Sequence, residues 1–159
     1  MPRKSRLVFA AATLLLLSLS QAFANPADPL DGTWELNVAK SRFDPGPAPR
    51  SQTRIYKSDG QTVHSTSKGV NAQGQETTVE YTASYDGKDA PITGSPVADT
   101  VSIKRINDST SEATLKKNGK VVSTSTRVIS SDGKQMSVTT TGTSDKGQPI
   151  RSELVFERK

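Results

Sequence analysis

The chain has 159 residues, no cysteine, and a formal net charge of +5 from 21 basic and 16 acidic side chains. That length suits one domain, and the lack of cysteine excludes both disulfide staples and a thiolate metal site. The charges are dispersed rather than clustered, which excludes an electrostatic grip on nucleic acid.

Residues 1–24 have the layout of an export signal. Arg3, Lys4 and Arg6 precede an apolar run from Leu7 to Leu19, and Ala22-Phe23-Ala24 supplies small residues on either side of one bulky one. A basic start, an apolar centre and an A-x-A site make a cleavable secretory signal. The apolar run is too short to span a bilayer, which takes about 20 residues. No cysteine is present for a lipid anchor and no Arg-Arg pair for the twin-arginine route. Cleavage after Ala24 leaves residues 25–159 as the domain, in the periplasm or outside the cell, with no integral membrane segment. The three leader cations then drop out, and 18 basic residues face 16 acidic ones.

From residue 32 onward the pattern is that of short strands. Nine are predicted, at 32–38, 51–57, 61–69, 75–85, 99–106, 110–117, 120–129, 134–142 and 148–158. Asp59-Gly60, Asp86-Gly87, Asn118-Gly119 and Asp132-Gly133 punctuate them. Such dipeptides favour tight hairpins because glycine takes positive φ without steric cost. Val79, Tyr81, Ala83 and Tyr85 alternate with Thr78, Glu80, Thr82 and Ser84, as Val101 and Ile103 do with Ser102 and Lys104. Period-two alternation places one set against a core. In the last strand both Phe156 and its neighbour Val155 are apolar, so both faces are expected to be covered. Ala39 to Pro49, with three prolines, reads as an extended, helix-free connection. Asp89 to Val97, with Pro91, Gly94 and Pro96, reads as an irregular loop between the two halves.

Turns this short join antiparallel neighbours. The expected fold class is therefore all-β: an up-and-down antiparallel meander closed into a β-barrel of about 8–10 strands, preceded by a signal peptide. Closure removes the two raw edges that an open sheet would expose. A two-sheet sandwich is the other arrangement the strands allow.

The halves echo each other. Thr53-Arg54-Ile55, Ser58-Asp59-Gly60, Thr66, Gly69 and Gly74-Gln75 recur without gaps 73 residues later. The counterparts are Thr126-Arg127-Val128, Ser131-Asp132-Gly133, Thr139, Gly142 and Gly147-Gln148. Hairpins all need turn residues, but the shared Thr-Arg and the constant register point to a repeated three-stranded unit.

Asp31-Gly32-Thr33-Trp34 at the first strand and Phe156-Glu157-Arg158 at the last resemble the calycin superfamily, which includes lipocalins and fatty-acid-binding proteins. The chain is most similar to small exported bacterial lipocalin-like proteins of unassigned function. The resemblance implies that Trp34 closes one end of the barrel and that Arg158 packs across it, a cation over an aromatic face. Two departures stand out. The proline-rich stretch replaces the two-helix lid of the fatty-acid-binding proteins. Leu154 and Phe156 stand where those proteins carry an Arg-x-Tyr pair. The family's ligand residues therefore do not carry over.

The candidate ligand-binding residues are Arg54, Arg105, Arg127, Tyr56, Tyr81 and Tyr85. If the arginines face the lumen they would bind an anion by bidentate hydrogen bonds; if they face outward they are solvated charges. The tyrosines either line a pocket or build the core. His64 is the sole histidine, and it reads as a surface residue of a strand rather than a catalytic or metal-binding group. No G-x-S-x-G elbow, P-loop, EF-hand or dinucleotide fingerprint occurs. The sequence thus points to a non-enzymatic exported barrel, with no cofactor, that binds a small hydrophobic or amphipathic molecule. The alternative is a filled barrel that acts as a protein-interaction or structural module of the cell envelope.

Overall fold

The computed structural model describes residues 28–144 and 146–159; the expected signal peptide and its cleavage site lie outside them. Ten strands form a closed antiparallel barrel. They are β1 (Gly32–Leu36), β2 (Ser51–Ser58), β3 (Thr62–Val70), β4 (Glu76–Ser84), β5 (Asp86–Thr93), β6 (Thr100–Asn107), β7 (Thr110–Lys117), β8 (Lys120–Ile129), β9 (Gln135–Thr143) and β10 (Pro149–Arg158). Each pairs with its sequence neighbour, and β1 closes the ring on β10. The meander and the closure agree with the sequence expectation.

Two expectations need correction. The loop predicted at 89–97 is largely β5, a tenth strand. Ala90 and Ile92 turn inward and pack on the core, and β5 pairs with β6 through Ala90↔Val101 and Pro91↔Thr100. The Ile92 amide donates to the Asp99 carbonyl. Successive amides point to opposite sides of a strand, so the proline nitrogen faces β4. There the ladder is reduced to Glu80↔Thr93 and Tyr81↔Ile92. A strand tolerates proline where no donor is needed. The connection after β1 also begins with one 3-10 turn, Val38–Lys40, capped by the Asn37 side chain, before the extended run starts.

The internal repeat is visible in the pairing. β3 and β4 pair Thr62 with Ser84, and the repeat-equivalent β9 and β10 pair Gln135 with Glu157, the same register displaced by 73 residues. Gly69 and Gly142, another equivalent pair, both lie against a neighbouring strand. A Cβ would fall 2.4 Å from the Ser51 carbonyl oxygen at the first and 2.2 Å from the Val122 carbonyl oxygen at the second. Close backbone approach, not turn geometry, requires glycine at both.

The lumen is divided. At the end where β1 begins, Trp34, Met136, Phe156, Ile103 and Val63 are fully buried and fill the space. Toward the other end five inward positions are small: Ser65, Ser67, Ala113, Ser125 and Thr140. A ring of this strand number is filled only if large side chains project into it. The small residues leave the upper half hollow.

Candidate functional site

The closed end explains the Gly-x-Trp signal. Trp34 and Arg158 are direct partners across β1 and β10, and the guanidinium carbon lies 4.2 Å from the indole centre. The indole Nε1–H donates to the Leu30 carbonyl at 2.8 Å. Arg158 donates to the carbonyl oxygens of Gly133, Asp31 and Pro29. Gly32 has φ +130°, and a Cβ there would lie 2.6 Å from Arg158 Nη1. The glycine thus leaves room for the arginine that stacks on the tryptophan.

Residues 28–31 cap this end, with Asp28 as their anchor. Its carboxylate accepts hydrogen bonds from Ser58 Oγ at 2.6 Å, Tyr85 OH at 2.9 Å and the Leu30 amide at 3.0 Å, and it forms an ion pair with Arg105. Arg105 also lies 4.0 Å above the Tyr85 ring. Burial pushes the Asp28 carboxyl up, but the hydrogen bonds from Ser58, Leu30, Arg105 and Tyr85 outweigh it and hold it below its ordinary value of 3.8. Burial likewise pushes the Tyr85 hydroxyl up, to about 12. Arg105 and Tyr85, two of the six candidate ligand residues, therefore belong to this cap and not to the main cavity.

A depressed carboxylate contributes stability above its unfolded value and loses it as pH falls through its folded one. Asp28→Asn is expected to lower the unfolding free energy by about 2 kcal/mol near neutral pH, since hydrogen bonds to charged groups are at stake. The gap between the two proteins should close as pH falls below 3.8. Urea unfolding at a series of pH values checks this. A gap still full at about pH 2 would show that the carboxylate charge is not what holds the cap.

The other four candidates converge on the hollow half. Arg54, Tyr56, Tyr81 and Arg127 line a cavity of about 230 Å³ whose apolar wall includes Val79, Ile92 and Leu115. Arg127 is only 4% exposed. Its Nη2 donates to Tyr81 OH at 3.3 Å, its guanidinium carbon lies 5.4 Å from the Tyr56 ring centre, and its buried Nη1 has no hydrogen-bond partner. Arg54 stacks on Phe156 at 4.4 Å and donates to Gln52 Oε1 at 3.3 Å. Among the described residues neither Arg54 nor Arg127 forms an ion pair, and no carboxylate lines the cavity.

The electrostatics follow from this arrangement. Burial opposes the charge on Arg127, but the facing Tyr81 and Tyr56 outweigh it, and its pKa moves up. Arginine does not lose its proton in proteins in any case. Burial pushes the Tyr81 hydroxyl up. Burial also resists ionisation of Tyr56, but Arg127 and Arg54 together prevail and move that hydroxyl down.

His64 points outward and is exposed, with Nδ1 2.9 Å from Thr82 Oγ1. Among the described residues, no His, Asp or Glu side chains gather in threes as a metal site, and no helix is long and apolar enough to cross a membrane. Asp28 is the functional-looking group that sequence reasoning passed over. Its signal is faint, an acid a few residues after the expected cleavage point.

A ten-stranded antiparallel meander, closed by β1 on β10 with Trp34 under Arg158, defines a calycin-like barrel. No family model and no curated protein matches the chain. Among solved structures it is similar to the zebrafish ileal bile acid-binding protein complexed with cholic acid. The TM-score is 0.52 at 11% identity, over 82% of this chain and 99% of that one. A lobster apocrustacyanin A1 aligns with a TM-score of 0.44 and 12% identity, over 82% of this chain and 61% of that one.

Proposed function

We propose that this protein is an exported, non-enzymatic carrier or sensor that holds a small amphipathic molecule in the hollow half of its barrel, anionic end toward Arg127. The observation that carries this reading is the arginine itself. A buried guanidinium without a carboxylate is costly, because burial removes water and nothing replaces it. Folding tolerates that cost where a ligand supplies the missing charge, and perturbed charged groups gathered in a cavity mark binding sites. The apolar wall opposite would take the remainder of the molecule. The hollow also counts against the alternative of a barrel filled throughout. The leader supports placement in the periplasm or outside the cell.

Protein recovered from the periplasm or the medium, with Asn25 as its first residue, is expected to bind octanoate saturably at one site per chain. Octanol, which lacks the charge, should bind about tenfold more weakly or not at all, since charge-assisted hydrogen bonds are roughly twice as strong as neutral ones. Isothermal titration calorimetry reads both. Equal binding of octanol and octanoate, or none by any ligand class, would overturn the reading.

A further inference from the structure

The cavity contains two guanidiniums, not one, and they stand at equivalent positions of the internal repeat. Thr53-Arg54 on β2 and Thr126-Arg127 on β8 are separated by β1, β10 and β9 around the ring. Both side chains project into the same chamber and both face Tyr56. Neither has an acidic partner among the described residues. A single carboxylate would satisfy one of them and leave the other uncompensated. The chamber, at about 230 Å³, falls below the roughly 300–1,000 Å³ usual for drug-sized ligands.

We infer that the natural ligand is a compact dianion, a short dicarboxylate or a monophosphate ester with a small apolar body, bound between Arg54 and Arg127. This rests on the ligand-binding reading above and narrows it. The two arginines sort by role. Arg127, deeper and almost fully buried, engages the first negative charge of any ligand. Arg54, stacked on Phe156 and hydrogen-bonded to Gln52, engages the second. The apolar body lies against Ile92 and Leu115.

Phenyl phosphate and phenyl sulfate test this, being esters of matched shape with two charges and one. At about pH 7.5, above the phosphate's second pKa of about 6, phenyl phosphate should bind at least about tenfold more tightly. Near pH 5, where the phosphate carries one charge, the difference should vanish. Arg54→Gln should shrink the difference at the higher pH to less than about threefold, whatever its effect on phenyl sulfate; Arg54→Lys should restore part of the difference. Equal affinities in the unmodified protein, or a difference that survives Arg54→Gln, overturn the inference. If octanoate binds, neither ester does and suberate binds no more tightly than octanoate, the dianion falls and the carrier reading stands. If no anion binds, both fall. Suberate against octanoate, measured in the same way, separates a dicarboxylate source from a phosphate one.

Discussion

Arg127→Met will raise the stability of the barrel and abolish its affinity for anions. Both effects have one cause. The native guanidinium is desolvated, has one hydrogen bond of 3.3 Å to Tyr81, and leaves Nη1 without a partner. Methionine has a similar reach, no charge and a flexible thioether that fills irregular space. Replacing buried charge with apolar volume is often stabilising, and removing functional strain typically yields about 0.5–2 kcal/mol. Each kcal/mol should raise the midpoint of thermal unfolding by about 4 °C in a domain of this size. Anion affinity should fall by about 2–5 kcal/mol, the cost of removing one member of a buried charged pair. Thermal unfolding without ligand and titration with octanoate measure the two effects. If the variant is less stable than the parent, Arg127 serves the fold, and its burial says nothing about a ligand.

Trp34→Ala will cost more stability than any other single substitution in the barrel. The indole is wholly buried, it donates to Leu30 and it underlies Arg158. Truncating a buried aromatic costs about 3–5 kcal/mol, against a total of about 5–15 kcal/mol for a typical domain. Arg158 would lose its platform while its three carbonyl acceptors remain, so the cap at residues 28–31 should loosen with it. Urea unfolding should show a lower midpoint with the slope unchanged, the mark of lost stability rather than an altered denatured state. Trp34→Phe keeps an aromatic face but loses the Nε1 hydrogen bond and the volume of the pyrrole ring, and should cost about 2 kcal/mol. A loss below about 1 kcal/mol for the alanine variant would contradict closure by Trp34.

The two substitutions probe opposite halves of one lumen. Large residues from β1, β6, β9 and β10 fill the half near the chain start, and serines, with Ala113 and Thr140, leave space in the other. The molecule has a filled end and a hollow end. The hollow end carries two guanidiniums that have no acidic partner among the described residues.

Local chemistry determined much of this in the amino-acid order alone. Asp-Gly and Asn-Gly pairs set the hairpins because few other residues tolerate their backbone, and the inward set on β4 follows from alternation with polar neighbours. Gly32, Trp34 and Arg158 marked the closed end through their resemblance to the calycin pattern; that the glycine makes room for Arg158 is visible only in the structure. Which residues meet across the lumen was decided only by tertiary structure. On β8 the pattern reads backward: Val128 faces outward at 43% exposure while Arg127 is buried, the reverse of what transfer from water favours. Pairing with β7 and β9 sets that face, and a strand's register belongs to its neighbours as much as to itself. β5 was hidden for a related reason, since Pro91 breaks a ladder only where a partner needs its amide. Arg105 and Asp28, 77 residues apart, meet because the barrel closes, and no spacing along the chain announces a contact made by closure.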